Sequence, residues 1–295
     1  MQSMTHRVAV NISGAAQFMG DMDFFAKVEF ARSCGVNAVE AHPCREWPAA
    51  ECSLIDLSGA AVKRVREGCR GLDCISVHAQ MGATVADDDP AVRAQVVQWN
   101  RTAVRDAAFL GARVVVVHCH MAKIAEPDVR GRVIESMRDL ADYADAFGVR
   151  ICLETPTDLR EPALFAALIR DIDHPNLGAT IDTGHLRSCL DDATKRSSAV
   201  VDAYNDVLFN LTRDVLALGK LFHVHLNDIR AETLADHYGI GLGFVDFERV
   251  LGAIQADGYE GMLVLEIHRG PAGEVGDITA EEFRAAVHHV LAIVG

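Results

Sequence analysis

The chain has 295 residues, 50% of them hydrophobic and 24% charged, with 28 Lys and Arg against 42 Asp and Glu and a formal net charge of −14. That composition excludes a disordered chain. The acidity argues against a protein that grips nucleic acid by neutralising phosphates or docks on an anionic membrane.

In chain order, short β-rich runs alternate with longer segments of helical period, many ending in Gly. HRVAVNIS (6–13) precedes a helix at 23–35, and AVEAHP (38–43) precedes one at 54–71. CISVHAQ (74–80) precedes 90–111, VVVVHCH (114–120) precedes 126–148, and RICLETP (150–156) precedes 162–172. LGATIDTGH (177–185) precedes a helical stretch at about 200–219, LFHVHLND (221–228) precedes 246–258, and GMLVLEIH (261–268) precedes 278–295. Eight strand–helix units with none left over predict an α/β chain forming a single (β/α)8 TIM barrel, one domain over 1–295. The rival, an open doubly wound sheet, expects a Gly-rich phosphate turn after its first strand, and NISGAAQFMG is not G-x-G-x-x-G.

No stretch approaches the ~18 uninterrupted apolar residues of a membrane span. The opening MQSMTHRVAV lacks the charged and apolar regions of a signal peptide, so a cytoplasmic location is expected. The eight cysteines form no CxxC pair and read as free thiols in a reducing compartment.

Parallel strands buried on both faces are expected to be apolar throughout. These are apolar until their C-terminal ends, where His42, His78, His118, His120, Glu154, Asp182, His223, His225, Glu266 and His268 appear, with His185 three residues beyond Asp182. Strand parity puts His118 with His120, His223 with His225 and Asn227, and Glu266 with His268, while Phe222, Val224 and Leu226 take the helix-facing side. The ionisable groups therefore point into the barrel mouth, where active sites of this fold are built. A single strand histidine is more often a hydrogen-bonded core residue than a ligand, but buried carboxylates are costly unless paired or metal-bound. His223, two residues deeper than His225, reads as a support. His6, His174, His288 and His289 read as surface or helix-face residues.

Two Glu, one Asp and one or more His converging on a point make a divalent-metal site suited to Mn²⁺, Co²⁺, Mg²⁺ or Zn²⁺. The strongest ligand set is Glu154, Asp182, His225 and Glu266. Such an ion stabilises an enediolate of a hydroxy-carbonyl substrate while a carboxylate beside it moves the α-proton. Glu154 and Glu266, on the fifth and eighth strands, are placed to flank the substrate.

The motifs LETP, IDTGH, HVHLND and VLEIH, in that order and at those strand ends, resemble the xylose isomerase-like barrel superfamily across essentially the whole chain. That group holds sugar isomerases and ketose 3-epimerases, hydroxypyruvate isomerases, inosose dehydratases and endonuclease IV-type enzymes. The resemblance implies Glu154, Asp182, His225 and Glu266 as the metal quartet and Glu154 with Glu266 as the acid/base pair. It further implies His185 as a contact to substrate oxygens and Arg230 as a substrate-binding arginine, its spacing from His225 one residue short. Two departures bear on the substrate. E-T-P-T stands where ketose epimerases carry E-P-x-N, and Asp-Thr-Gly-His stands where hydroxypyruvate isomerases carry Asp-Ile-Tyr-His.

Eight of the nine zinc ligands of the endonucleases are also matched, by His78, His118, Glu154, Asp182, His185, His225, His237 and Glu266. Ala235 stands where the ninth, an Asp, is expected, with Asp236 a shifted alternative. This likeness implies a second ion beside His78 and His118. The expectation is one firm metal and a metal-dependent isomerase or epimerase of a small carbohydrate-like substrate. The partners expected are a small molecule, no nucleic acid and no membrane, with a homo-oligomer open. The alternatives are a dehydratase using the same enediolate chemistry, a multi-zinc phosphodiesterase, which the net charge disfavours, and a sugar-binding barrel without catalysis. GIGLG (239–243) reads as a flexible loop beside the site, a candidate lid, and Trp47 and Phe18 as packing residues or apolar pocket walls.

Overall fold

A computed structural model describes residues 7–12, 16–20, 22–41, 65–79, 85–121, 123–190, 197–270 and 277–295. His6, His42, Trp47, Cys44, Cys52 and most of the helix expected at 54–71 lie outside the described residues.

Eight parallel strands close into a barrel in sequence order. They are β1 (Val8–Asn11), β2 (Ala38–Ala41), β3 (Cys74–His78), β4 (Val114–Val117), β5 (Arg150–Glu154), β6 (Leu177–Asp182), β7 (Leu221–Leu226) and β8 (Met262–Leu265). Helices follow the strands: α1 (Phe24–Ser33), α2 (described at 65–68), α3 (Pro90–Leu110), α4 (Pro127–Asp145), α5 (Pro162–Ile172), α6 (Ser198–Ala217), α7 (Phe247–Ala256) and α8 (Ala280–Val294). The expected (β/α)8 barrel is the fold observed.

Local chemistry sets the helix boundaries. Pro occupies the first turn of α3, α4 and α5, where its missing N–H costs nothing. Asp89 caps α3 by accepting from the Ala91 N–H, and Gly111 ends it at φ +81°, a left-handed conformation that glycine adopts without strain. Thr279 and Glu282 form a reciprocal capping box on α8.

The main apolar core lies between helices and strands and includes Val10, Val39, Val77, Val115, Leu153, Ile181, Val224 and Leu265. Phe18 packs edge-on against Phe30 and Phe283, with ring centroids 5.0 and 5.9 Å away, which makes it a packing residue. Inside the barrel the lower layers are apolar and small. Ala9, Ala38, Met262 and Val264 form one cluster, and Val114, Val116 and Cys152 another.

Phe222 packs against that second cluster, so strand parity alone placed it on the wrong side. The register between β6 and β7 slips at Ala179/Thr180, and the slip turns Phe222 inward. Gly178 makes room for it, because a Cβ there would lie 2.6 Å from the Phe222 Cγ. Beyond this plug, a cavity of about 620 Å³ opens at the N-terminal end, lined in part by Arg7, Arg113 and Arg150 from the strand starts.

The described cysteines, Cys34, Cys69, Cys74, Cys119, Cys152 and Cys189, are all free thiols. No helix among the described residues is long and apolar enough to cross a membrane.

Candidate functional site

Alternation along the strands delivers polar side chains from β1 to β8 into the upper barrel. Glu40, His78, Glu154, Asp182, His185, His223, His225 and Glu266 are all buried. At their centre is the ring of His225. Its Nδ1 lies 2.9 Å from Glu154 Oε1, 2.9 Å from Glu266 Oε2 and 3.8 Å from Asp182 Oδ2. The four residues expected to act together therefore meet at one point.

His78 and His118 join this cluster from β3 and the end of β4. His78 Nδ1 lies 2.9 Å from the carbonyl oxygen of Ala79, which can only accept, so that nitrogen carries the proton. In the neutral ring the lone pair then sits on Nε2, 3.0 Å from His118 Nε2 and 3.4 Å from Glu154 Oε2. His118 Nε2 is itself 2.5 Å from that carboxylate oxygen. His185 follows the same logic. Its Nδ1 donates to the Thr155 carbonyl at 2.8 Å, and its Nε2 faces Asp182 Oδ2 at 3.8 Å.

The loop after β7 supplies His237, whose ring stacks on His268 at 4.5 Å and whose Nε2 is 3.9 Å from Glu266 Oε2. His237 sits at φ +54°, a left-handed conformation that a side-chain-bearing residue adopts at a cost, of the kind that clusters at functional sites. Its backbone is held by an N–H donated to Asn227 Oδ1 at 2.9 Å and by a carbonyl that accepts from His268 and Arg269. Asp236, the shifted alternative, contacts His237 Nδ1 at 3.2 Å and Arg269 at 3.3 Å.

Other expectations fall outside the cluster. Arg230 contacts Glu232 at 3.4 Å and the Tyr238 ring at 6.0 Å, neither of them a member. The structure thus does not bring it to the quartet, in keeping with its short spacing from His225. His120 has an exposed side chain 3.8 Å from Asp158 at the rim. His174 pairs with Asp142, and His288 and His289 are exposed on α8. GIGLG is fastened rather than loose. The Asp228 carboxylate accepts from the backbone N–H groups of Ile229, Gly241, Gly243 and Val245 at 2.8–3.0 Å.

Glu40 and Asn11 escaped the sequence reading. Glu40 is fully buried, with Oε1 2.9 Å from His225 Nε2 and Oε2 3.3 Å from His223 Nε2. Asn11 Nδ2 donates to Glu40 Oε1 at 3.0 Å and to Glu266 Oε1 at 3.3 Å. His223 also meets Ser76 Oγ at 3.2 Å, which gives it the supporting position expected of it. The signal was available, because Glu40 shares strand parity with His42 and sits mid-strand in AVEAHP.

So many buried carboxylates perturb one another and the histidines between them. Burial opposes ionisation of Glu154 and Glu266, but His118 and His225 around the first and His225 and His237 around the second hold both well below the ordinary range. Burial pushes Asp182 the other way, and its carboxyl is raised despite His185 and His237. Burial works against protonation of His78 and His237, yet Glu154 beside the one and Asp236 beside the other lift both to about 9. Three carboxylates packed around one imidazole are a strong cation field.

The donor set fits a divalent ion. Glu154 Oε2 and Glu266 Oε2 are buried and receive no well-aligned hydrogen bond, although histidine nitrogens stand at ion-pair distance. Oxygen and imidazole donors without thiolate suit a hard or borderline cation. Further triads that could hold an ion are His78, His118 and Glu154, and Asp182, His185 and His237.

A family model described as the xylose isomerase-like TIM barrel matches residues 28–288. The chain belongs to the xylose isomerase-like TIM barrel family. A protein of Methanocaldococcus jannaschii, MJ1311, itself uncharacterised, is 26% identical over 208 residues, which cover 66% of each chain. Among solved structures, a D-tagatose 3-epimerase-like protein superposes with a TM-score of 0.72 at 21% identity over 98% of both chains. D-psicose 3-epimerase of Clostridium cellulolyticum H10, solved with D-tagatose, gives 0.71 at 16% identity over 98% of this chain and 99% of its own. At these identities the likeness is one of fold.

Proposed function

We propose that this chain is a metal-dependent isomerase or epimerase acting on a small sugar or related hydroxy-carbonyl compound. The observation that carries the reading is the convergence of Glu154, Asp182 and Glu266 on Nδ1 of His225 at the C-terminal mouth of the barrel. These four would hold the ion, which when bound supplies Lewis acidity, polarising a substrate carbonyl and stabilising negative charge on the adjacent oxygen. Glu154 and Glu266 reach the site from β5 and from just beyond β8, and so flank a substrate seated between them. One, ionised as its neighbours favour, accepts the α-proton, and the other, having taken a proton from solvent before the substrate binds, gives that proton to the enediolate; exchange with solvent after the product leaves resets both. The roles exchange in the reverse reaction. His185, with Nδ1 tied to Thr155, presents Nε2 to substrate oxygens, and His237 lines the same mouth.

A second reading rests on the His78–His118–Glu154 triad, whose nitrogens face one carboxylate oxygen as a second ion would require. It is the arrangement of a multi-metal phosphodiesterase. Against it stand Ala235 in place of a ninth carboxylate and a net charge of −14, which repels a duplex. A dehydratase would use the same residues and differ only in product.

Metal analysis of the purified chain, then solvent deuterium incorporation across a panel of ketoses and hydroxy-acids followed by NMR, tests the proposal. Incorporation at one carbon with an isomerised or epimerised product is expected. A chain that exchanges no substrate proton with metal bound, or that nicks abasic duplexes instead, overturns it.

A further inference from the structure

Strand register assembles a second carboxylate layer beneath the mouth. Asn11, Glu40 and Ser76 are ladder partners on β1, β2 and β3, so their side chains stand in a row inside the barrel. Glu40 occupies the middle of that row. Asn11 donates to Oε1 at 3.0 Å and Ser76 donates to Oε2 at 2.8 Å, which fixes the orientation of the carboxylate plane. Oε1 then faces His225 Nε2 at 2.9 Å, on the far side of the ring from Glu154, Asp182 and Glu266. His225 Nε2 makes no well-aligned hydrogen bond, so Glu40 meets the ring at ion-pair distance rather than through a linear hydrogen bond.

We infer that Glu40 is a positioning residue that acts through His225: when a cation displaces the Nδ1 proton, Glu40 keeps the remaining ring proton on Nε2 and leaves the Nδ1 lone pair turned toward the cation between the three carboxylates. The inference rests on the proposed metal at that point. A buried carboxylate is costly, and a neutral side chain would satisfy Asn11 and Ser76 at lower cost. The negative charge adds something specific: it favours the Nε2–H tautomer and raises the donor strength of Nδ1, the usual effect of a carboxylate behind a metal-ligating histidine. Asn11 closes the arrangement into a ring, because its amide also donates to Glu266 Oε1 at 3.3 Å. Glu40, His225, Glu266 and Asn11 thereby brace one another across β1, β2, β7 and the segment after β8. Glu40 itself remains one imidazole away from any substrate.

The experiment titrates Mn²⁺ into the wild-type chain, Glu40→Gln and Glu40→Asp in competition with a chromogenic chelator. Thermal melts verify the fold, and the His225 ring nitrogens are followed by ¹⁵N NMR in the Zn²⁺-loaded proteins. Glu40→Gln is expected to weaken Mn²⁺ binding by about 10–100-fold, with unchanged stoichiometry and an upfield move of the Nε2 proton. Glu40→Asp is expected to recover part of the affinity. Binding by Glu40→Gln within twofold of wild type, or an unmoved Nε2 proton, overturns the inference and leaves the proposed function standing. Loss of a whole equivalent of metal also overturns it, by making Glu40 a ligand. If Glu40→Gln does not fold, Glu40→Asp decides, with weakened binding in a folded chain supporting the inference and wild-type affinity overturning it. A wild-type chain that binds no divalent ion overturns the proposed function and this inference together.

Discussion

Asn227 grips Asp182 with one amide group, its Nδ2 lying 3.0 Å from Oδ1 and 2.9 Å from Oδ2. Asp182 Oδ1 also accepts from the Gly184 N–H at 2.7 Å, so the turn after β6 and the end of β7 are locked through one carboxylate. Gly184 is where that lock is most exposed to change. A Cβ there would overlap Asn227 Oδ1 and come within 3.0 Å of its Cγ. Gly184→Ala is expected to cost roughly 1–3 kcal/mol, the scale of core overpacking, and to weaken Mn²⁺ binding by displacing Asp182. Chemical denaturation and metal titration of the variant measure the two effects.

Glu154→Gln and Glu266→Gln separate binding from proton transfer. Each is expected to lower solvent deuterium incorporation by about 10²–10⁴-fold, the range for loss of a general acid or base, even at metal concentrations that saturate the variant. Incorporation at the wild-type rate in either variant removes that residue from the acid/base pair.

Chelation is expected to abolish turnover, and Mn²⁺ or Co²⁺ to restore it. Because His225 Nδ1 carries a proton among three carboxylates and a cation would take its place, metal addition is also expected to release protons. A weakly buffered titration with an indicator dye checks this. No pH change on binding one equivalent contradicts the quartet as the site.

The chelated chain has a defined pH profile. His78 and His237 have folded-state values of about 9 against an ordinary 6.5, so the stability they contribute is complete below 6.5 and is lost as pH rises through about 9. Glu40 runs oppositely. Burial raises its carboxyl, but His225 and His223 outweigh burial and hold it at about 2, so its contribution is present above 4.5 and lost as pH falls toward 2. Melting temperatures measured with chelator are expected to decline between pH 6.5 and 9, and less steeply with saturating Mn²⁺. A flat alkaline limb in the chelated chain contradicts the assignment.

Asp228 tests whether the fastened 239–245 loop matters. Asn at this position offers one acceptor oxygen where two serve four N–H groups, leaving two amides facing an NH₂. Asp228→Asn is expected to lose roughly 2–4 kcal/mol, with amide hydrogen exchange at Gly241 and Gly243 accelerating beyond the global change.

The barrel and its mouth were legible because two periodicities carry them. Period two in VVVVHCH, LFHVHLND and LVLEIH placed His118, His225 and Glu266 correctly. Phe222 was misplaced because a register slip between neighbouring strands leaves no mark in the sequence of either one. Glu40 and Asn11 were missed for a different reason. Asn11 is an uncharged amide at the end of β1 and Glu40 stands one residue before the end of β2, and their meaning lies in a ladder that aligns three strands distant in sequence. The hold on GIGLG was hidden because Asp228 reaches it with a side chain across a loop, and composition alone reads glycines as slack.

The inward turn of Phe222 makes the barrel a cul-de-sac. Among the described residues, that ring, Val114 and Met262 stand below the layer of Glu40, Ser76 and His223, and His225 with its carboxylates stands above it. Under the proposed function, substrate and product would therefore come and go through the mouth and not through the floor of the barrel.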